Sequence, residues 1–573
     1  MSPAPSSQIR QAAEWIAGLS FSDLPDDVVA LARAQRVNIL AAMYAGGRTA
    51  IGRRALAAMD ALDSSPAGGE PFADGGPSSA NVTSLPDGEL RPLLSAAYLG
   101  AVLGTALELD DFVFAGHTGQ AAVTVPLTLG QVTGASGDEA LLAQVAANEV
   151  AGRLGAVMTA GPQHGHMKAY LNRAAAATAA AKLLGHDAGT TAAAIAIALS
   201  MPEYPLFPAA YSPDTKALCT GDPVTAGIRA AYLAAAGIGA ALDIVEHAVG
   251  LVTSLSHYDR VPPIWDRLGH TWSTQAICFK PFCACAYACA AGTAVTRIVA
   301  SEGLAWDPGR VRHVDVDTTV LTLTMEGFSR PHVPGKISVV NTNFSTRRTV
   351  ALSLLAGLPT GDLFTPERFA GLRDGIAALS RRVELHHHWP YTIDLLRGVD
   401  AAIDHPGRPG IYGMVEAHRT LDRFKKAFDT PSALGTEDIP ALLRLSRADL
   451  AYLLRRYAIG LRSRLPFRDG AAGRDAYVSR ETDLRRMSLR FGAGVRITLD
   501  DGRVLAEEVS TPPGFAGDPE RMAIPAAKFL REVGAATSPE RAESLLELLE
   551  RRPAVSPREI ASAARSKRPV GVR

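Results

Sequence analysis

The chain has 573 residues, of which 47% are hydrophobic and 20% are charged. This composition excludes a predominantly disordered protein, because the apolar surface is large enough to offset the entropy of the chain. The 58 Lys and Arg residues balance the 58 Asp and Glu residues, so the overall charge predicts neither a nucleic acid nor an anionic membrane surface as partner. At about 150 residues per domain, the length predicts two to four domains.

The N-terminus and the cysteines indicate a cytoplasmic protein. No basic segment followed by an apolar one opens the sequence, so we expect no signal peptide. The apolar stretch 233–252 contains Asp243, Glu246 and His247, which a membrane span would have to bury. The number of cysteines is odd, and most of them lie within residues 278–289. This spacing favours reduced thiols over a disulfide framework.

The first half of the chain is rich in Ala and Leu, and its apolar residues follow a helical period. Strand signals are scarce there. We therefore predict one all-helical domain over residues 1–276, with several helices apolar on nearly every side. The helical segments are residues 9–19, 26–45, 90–107, 139–157, 172–184, 192–199 and 223–236.

The pattern changes after residue 277. Residues 311–318 alternate between apolar and polar, which predicts a strand, and we expect 320–325 to continue similarly. Residues 495–499 alternate too, and the following Asp500-Asp501-Gly502-Arg503 predicts a tight hairpin. With helices predicted over 349–356 and 366–379, this part reads as an α+β domain.

We assign residues 277–530 to this α+β domain. A helical insertion at about 397–483, with helices over 416–428 and 439–461, separates a strand at 382–385 from the hairpin. Residues 531–573 form a C-terminal helical segment, with a basic, frayed tail from residue 557.

An acidic motif, Glu108-Leu109-Asp110-Asp111, is followed by Gly116-His117. Crowded carboxylates raise the pKa of at least one of their number unless cations neutralise them. A carboxylate beside a histidine is also a natural acid–base pair. The same residues are equally compatible with a solvated turn at the end of a helix.

Two further segments carry candidate polar groups. His164 and His166 form an HxH pattern, which is too few ligands for a zinc site and fits a polar surface loop as well. Lys216 lies between a turn and an Ala-rich helix. It either presents its ammonium group to a carboxylate substrate or is an ordinary surface lysine.

The cysteine segment reads CxCxxxC over residues 283–289 and follows Lys280. It lacks the C-x2-C pairs of zinc knuckles, so we interpret these residues as small core hydrophobes and predict no metal. Ser345 is a good N-cap for a helix whose Arg347 faces either an anion or solvent. The three histidines 386–388 follow a strand, where at most two share a face, and we assign them no role.

Taken together and in this order, the motifs resemble the MmgE/PrpD family, which includes 2-methylcitrate dehydratase, cis-aconitate decarboxylase and iminodisuccinate epimerase. The resemblance implies a mostly α fold, with a large all-helical domain and a smaller α+β lid. It also implies a homodimer with its active site in the cleft between the domains. The resembling segments are ELDD…GH at 108–117, NEVAGRLG at 148–155, the Ala-rich run at 174–185, TKALCTG at 215–221, KPFCACAYACAAGTAV at 280–295, NFSTRRTVALSLLAG at 343–357 and the VRITLDDGR hairpin.

The resemblance also implies roles for individual residues. It makes catalytic residues of Glu108, Asp110, His117, His166 and Lys216, and it keeps Lys280 and Tyr287 as substrate-binding residues, to which we add Arg347. Three further substrate-facing positions depart from the family pattern. Phe112 replaces a threonine, Cys289 a histidine and Phe328 a lid tyrosine.

We therefore predict a divergent, cofactor-independent lyase. It would abstract a proton next to a carboxylate or carbonyl of a small molecule, with Lys216 and Lys280 stabilising the enolate, and then lose water or carbon dioxide. Because the apolar replacements remove polar contacts that would hold a tricarboxylate, two alternatives stay open. One is an isomerase, epimerase or cyclase acting on a larger secondary metabolite, and the other is a non-catalytic family member.

Overall fold

The computed structural model describes residues 7–64, 81–85, 87–114, 116–158, 168–203, 206–255, 261, 264–329, 337–403, 439–462, 482–551 and 554–565. The protein is mostly α-helical, with a smaller α+β region in its second half, which confirms the predicted fold class. We propose, as the sequence predicts, that the domains divide at about residues 276 and 530.

Each helical segment predicted in the first half corresponds to a helix, whereas the helices at 50–63, 119–133, 207–210 and 251–255 were not predicted. Side-chain caps begin several of them, as where Asp187 accepts a hydrogen bond from the Thr190 amide. They are α1 (Gln8–Gly18), α2 (Asp26–Gly47), α3 (Ala50–Asp63), α4 (Leu93–Thr105), α5 (Gly119–Thr133), α6 (Gly137–Met158), α7 (Lys168–Leu183), α8 (Ala188–Ser200), α9 (Phe207–Ala210), α10 (Gly221–Ala235) and α11 (Leu251–Leu255).

The second half contains shorter helices around the sheet and a C-terminal helical segment. These helices are α12 (Cys289–Glu302), α13 (Val320–Phe328), α14 (Val339–Phe344), α15 (Thr346–Ala356), α16 (Pro366–Ser380), α17 (Trp389–Ile403), α18 (Ile439–Leu442), α19 (Arg447–Arg462), α20 (Ile524–Ala536), α21 (Pro539–Glu550) and α22 (Pro557–Arg565).

The helical core is built on small residues. Residues 140–158 of α6 are all buried, as expected for a helix at the centre of a bundle. Helices α7 and α10 approach so closely that a Cβ on Gly227 would lie 2.4 Å from the Arg173 carbonyl oxygen. The alanines of these helices allow this approach, and it fixes the position of the segment that precedes α10.

The larger sheet has four strands: β5 (Val311–Thr318), β6 (Val383–His387), β7 (Ala493–Leu499) and β8 (Val504–Val509). Their order is β6-β5-β7-β8, with β5 and β6 parallel and the other pairs antiparallel. Gly502 has a φ of 86° in the turn between β7 and β8, so the predicted hairpin is confirmed. Val314 and Val316 lie on the face that the helices cover.

Residues 320–325 form part of helix α13, so the predicted strand there is wrong. Thr319 caps this helix by accepting a hydrogen bond from the Thr322 amide, and this local bond outweighs the alternating pattern. The tail beginning at residue 557 was expected to fray, but Pro557–Arg565 is helical and buries Ile560. The helix predicted over 416–428 lies outside the described residues.

Short strands in and beside the helical half were not predicted. Strand β1 (Asn81–Thr83) pairs with β2 (Leu90–Pro92). Strand β3 (Asp111–Phe112) pairs antiparallel with β4 (Cys278–Phe279). The second pair matters for function, because it places the acidic motif beside the segment that carries Lys280.

Candidate active site

The acidic motif forms a buried turn between α4 and β3. Glu108 has a φ of 54°, a conformation that is uncommon for residues other than glycine and that clusters at functional sites. Glu108 is 2% exposed and Asp110 is 0% exposed. The alternative of a solvated turn is therefore wrong, and the carboxylates face the interior.

Two buried lysines neutralise these carboxylates. Lys280 donates to Glu108 Oε2 at 2.7 Å and to Asp110 Oδ1 at 2.6 Å. Lys216 pairs with the other oxygen of Glu108 and donates to the Thr105 carbonyl oxygen at 3.0 Å. Lys216 is 1% exposed and Lys280 is 0% exposed, which excludes an ordinary surface lysine at either position. Glu108 thus bridges two ammonium groups.

The charge state of Lys280 follows from these contacts. Burial by itself lowers the pKa of Lys280, but the negative charges of Asp110 and Glu108 outweigh it and hold the pKa above its ordinary value. Lys280 therefore stays protonated. The cluster of Glu108, Asp110, Lys216 and Lys280, here called the acid–lysine cluster, contains two carboxylates and two ammonium groups in a site shielded from water.

His117 forms a dyad with Asp110. Its Nδ1 lies 2.8 Å from Asp110 Oδ2, and Gln120 donates to the same oxygen. An ionised carboxylate accepts a hydrogen bond from Nδ1–H, which leaves Nε2 as the basic nitrogen. Asn172 of α7 donates to the His117 carbonyl oxygen at 3.0 Å. The His117 side chain is 13% exposed. The dyad therefore positions a base at the edge of the cluster.

Asp111 has a different, structural environment. Its Oδ2 accepts from Gln35 at 2.9 Å and from the Gly119 amide at 3.3 Å. Gln35 in turn contacts Asn148 of the NEVAGRLG motif. Burial raises the pKa of Asp111 to about 6. The NEVAGRLG motif thus holds the acidic turn in place through Gln35, which bonds to both Asn148 and Asp111.

The remaining polar residues of the same motif hold the chain that leads to Lys280. Glu149 accepts from the amides of Ser273 and Thr274 at 2.8 and 3.0 Å. Arg153 donates to carbonyl oxygens between residues 264 and 271. These bonds fix the segment that runs into β4.

Lys528 of α20 is a buried residue of this region that sequence reasoning missed. Its Nζ donates to the carbonyl oxygens of Leu109 at 2.7 Å and Lys280 at 2.8 Å, so it joins the two segments that carry the acid–lysine cluster. Burial, together with the charge of Arg531, lowers the pKa of Lys528 to about 7. The surrounding sequence reads as an ordinary helix, and only the packing of α20 places Lys528 here.

Aromatic rings lie on two sides of the acid–lysine cluster. Phe112 is 6.3 Å from the His117 ring and packs edge-on against Phe515 at 5.1 Å between centroids. The Lys216 ammonium lies 5.2 Å above the ring of Phe344. Tyr211 contacts Phe344 and the lid residue Phe328, at 5.1 and 5.4 Å. The apolar surroundings strengthen the electrostatic interactions of the cluster.

The other predicted site residues have contacts of their own. Tyr287 packs edge-on against Phe491 at 5.1 Å. Cys289 begins α12 and donates its thiol to the Cys285 carbonyl oxygen at 3.5 Å. Arg347 is exposed, and its backbone amide donates to Glu326. Among the described residues, the Arg347 side chain makes no contact with the acid–lysine cluster. The predicted catalytic residue His166 lies outside the described residues.

The cysteines behave as core residues. All five are buried, which confirms the interpretation of CxCxxxC as small hydrophobes. Burial raises the pKa of Cys278 to about 12 and that of Cys289 well above its ordinary value. Protonated thiols are neither good nucleophiles nor good metal ligands.

The donor set favours proton chemistry over metal binding at this site. Glu108, Asp110 and His117 offer three ligand atoms within 4.8 Å of one another. Both oxygens of Glu108 and Oδ1 of Asp110, however, are bound by Lys216 and Lys280. A dication at this point would have to displace both ammonium groups.

The comparisons with known proteins match the N-terminal part of the chain to a family. No curated protein matches the chain significantly, and among the described residues no helix has the length and apolarity needed to cross a membrane. Residues 10–263 match the MmgE/PrpD N-terminal domain. That family includes dehydratases and related enzymes. The segment matched contains Glu108, Asp110, His117 and Lys216, and the match supports membership of the MmgE/PrpD family.

Proposed function

We propose that this protein is a cofactor-independent lyase, either a dehydratase or a decarboxylase, that removes a proton next to a carboxylate or carbonyl of a small molecule. The observation that carries the proposal is the Asp110–His117 dyad, in which Asp110 is paired with buried Lys280, beside the buried Lys216–Glu108 pair. A base held by a carboxylate, beside fixed positive charge, is the arrangement that enolate formation requires.

The residues divide the work as follows. His117 Nε2 takes the proton, and the electrons of the broken C–H bond move onto the carbonyl oxygen, where Lys216 or Lys280 stabilises the enolate. In a dehydration, the enolate expels a β-hydroxyl that a neighbouring acid protonates, so that water and an alkene leave. In a decarboxylation no proton is removed first: the electrons of the C–CO₂ bond form the enolate as carbon dioxide leaves, and protonated His117 then gives a proton to the carbon. We propose His166 as the second acid–base residue.

The ion pairs of Glu108 give it a specific part in this scheme. A substrate carboxylate that binds Lys216 competes with Glu108 for the same ammonium group. A buried carboxylate that loses part of its counter-charge has a raised pKa and takes up a proton. In this scheme Glu108, once it has taken a proton from solvent, donates that proton to the leaving hydroxyl.

A second candidate function is an isomerase, epimerase or cyclase acting on a larger and less charged secondary metabolite. The aromatic residues Phe112 and Phe344 next to His117 and Lys216 favour it. These rings offer apolar contact where a tricarboxylate would need polar groups. A non-catalytic protein would have little reason to retain the dyad and both buried lysines.

Proton NMR in D₂O tests the proposal. Purified, chelated protein is incubated with cis-aconitate, methylcitrate, iminodisuccinate and several larger β-hydroxy acids. We expect solvent deuterium to enter one of these compounds, together with alkene signals or loss of carboxylate. Exchange without elimination would support the isomerase alternative. The absence of exchange with every compound would contradict proton abstraction from these substrate classes.

We also propose a cytoplasmic homodimer with no nucleic acid or membrane partner. Size-exclusion chromatography with light scattering tests the oligomeric state, since the chain mass is 60.2 kDa. We expect a mass of twice this value, and a species with the mass of one chain would contradict the dimer.

A further inference from the structure

A buried lysine of helix α20 contacts the backbone of the acid–lysine cluster, and the mechanism above does not use it. Lys528 is 1% exposed. Its Nζ donates to the carbonyl oxygens of Leu109 at 2.7 Å and of Lys280 at 2.8 Å. Leu109 lies between Glu108 and Asp110 in the sequence. Lys528 is therefore bonded to both segments whose side chains form the cluster.

Lys528 is buried without a direct counter-charge. Its hydrogen bonds go to carbonyl oxygens, and among the described residues no carboxylate forms an ion pair with it. Burial lowers its pKa to about 7, and the nearby charge of Asp110 offsets this only in part. Burying an unpaired ammonium group costs stability, and groups perturbed in this way concentrate at functional sites. The burial of Lys528 thus indicates a role in the site as well as in the fold.

We propose that Lys528 is a positioning residue of the active site, which fixes the placement of Lys280 relative to Asp110. This role rests on the proposed function, because Lys280 is one of the two lysines assigned there to the enolate oxygen. Lys528 does not touch the substrate in this scheme. It acts through the two backbone segments that it joins.

The groups that depend on this placement are the base and the lysine that faces the enolate. Lys280 Nζ lies 2.6 Å from Asp110 Oδ1, and His117 Nδ1 lies 2.8 Å from Asp110 Oδ2. The direct backbone bond at this point, from the Lys280 amide to the Asp110 carbonyl oxygen, is long at 3.4 Å. Since a misplacement of about 1 Å can cost about 100-fold in rate, the shorter bonds made by Lys528 should matter for turnover.

Helix α20 and the loop before it make similar bonds on either side of Lys280. The preceding residue, Phe279, donates its amide to the Gly514 carbonyl oxygen at 2.8 Å. The following residue, Pro281, accepts a hydrogen bond from Arg531 of α20 at 3.2 Å. Three successive residues of the site are thus bonded to this later part of the chain. The bonds of Lys528 are the ones that also reach the acidic motif.

Steady-state kinetics of Lys528→Met, corrected for the folded fraction, test the role. Activity is measured as deuterium incorporation into the compound that the wild type turns over. We expect kcat to fall at least about 10-fold, while KM changes by less than about 2-fold, because the lost interaction is not a contact with the substrate. Lys528→Arg keeps donors for both carbonyl oxygens and should recover part of kcat.

Lys182→Met is the matched control. Lys182 of α7 also donates to backbone carbonyl oxygens, those of Ile16 at 2.8 Å and Leu19 at 2.6 Å. It lies about 15 Å along α7 from Asn172, the residue that bonds to the His117 carbonyl oxygen. We expect Lys182→Met to lower stability and to leave kcat per folded molecule unchanged.

Backbone hydrogen exchange, measured by mass spectrometry, separates this role from the proposed function. Exchange over residues 108–112 and 278–281 should rise in Lys528→Met and stay unchanged in Lys182→Met. If the wild type turns over no compound, the proposed function fails, and these exchange rates still test the contacts of Lys528. Unchanged exchange in both segments of Lys528→Met would overturn the positioning role.

The kinetic outcomes are equally decisive. An active wild type whose kcat survives Lys528→Met would overturn the role and leave the proposed function standing. Equal losses of kcat per folded molecule in Lys528→Met and Lys182→Met would show a general effect of destabilisation and would also overturn it. If Lys528→Met does not fold, Lys528→Gln takes its place, since its shorter side chain cannot hold both carbonyl oxygens. A wild-type kcat in Lys528→Gln would then contradict the role.

Discussion

The protein contains two clusters in which carboxylates meet histidine, and they differ in burial and in counter-charge. In the acid–lysine cluster, Glu108 and Asp110 are buried and bound by Lys216 and Lys280. In the second cluster, here called the sheet cluster, Asp315 of β5 is partly exposed and is contacted by His313 and His386. Buried ammonium groups suit a site that stabilises developing negative charge, whereas the partly exposed histidines of the sheet pair with a carboxylate at the surface. The two clusters therefore differ in what surrounds their carboxylates rather than in the types of their donor atoms.

The largest effect should come from removing a lysine of the buried cluster. Lys280→Met leaves Glu108 and Asp110 in the interior without one of their counter-charges, which typically costs about 3–5 kcal/mol. Urea unfolding measures this loss in the free energy of unfolding. His386→Ala at the partly exposed sheet cluster, in metal-free protein, should change stability by about 0.5 kcal/mol or less. Equal effects of the two substitutions would remove the contrast between the clusters.

Catalysis should depend on the acid–lysine cluster and on the proposed acid–base residue His166, and not on the residues of the sheet. We expect Lys216→Ala and His166→Ala each to lower turnover at least about 100-fold, the lower limit for lost acid–base catalysis. His313→Ala should leave turnover unchanged under the same assay. Near-normal turnover of both Lys216→Ala and His166→Ala would contradict the site assignment.

Lys528 should give the buried region a distinctive pH dependence. Its pKa is lowered to about 7 in the folded protein, whereas the unfolded chain keeps the proton up to the ordinary value near 10.4. Between these values the unfolded state binds more protons, so stability from this group rises with pH, by up to about 1.4 kcal/mol per pH unit. Unfolding free energies of the wild type and Lys528→Met, measured from pH 7 to pH 9, test it. Parallel profiles would mean that Lys528 is charged in the fold.

Removal of metal ions by a chelator should have the smallest effect on turnover. We expect exhaustive treatment with EDTA to leave turnover unchanged. If chelation abolishes turnover and added zinc restores it, the catalytic assignment is wrong.

Local patterns predicted most elements, because they depend on local physical chemistry. The alternating residues of β5 and the Asp-Gly turn after β7 are encoded within a few positions. The helix over Val320–Phe328 was missed, since its Thr319 cap decides against an alternating pattern. The β3–β4 pair was missed because two-residue strands carry almost no periodicity.

The residue types of the site were predicted, but their connections were not. The sequence places Glu108, Lys216 and Lys280 more than 60 residues apart from one another, and only the packing of α4 and the β3–β4 pair brings them together. The position of Lys528 depends on α20 packing against the helical half. The contact between His386 and Asp315 likewise depends on tertiary structure, because the parallel pairing of β5 and β6 brings the two residues together.

The most direct test of the central claim is the rate at which the proton next to the substrate carbonyl exchanges with D₂O in the wild type and in His117→Gln. His117 is held by Asp110 at 2.8 Å, and glutamine keeps hydrogen-bonding capacity without a basic nitrogen. We predict that exchange in His117→Gln falls at least about 100-fold, while the variant stays folded. Exchange at the wild-type rate would show that another group removes the proton and would contradict the account.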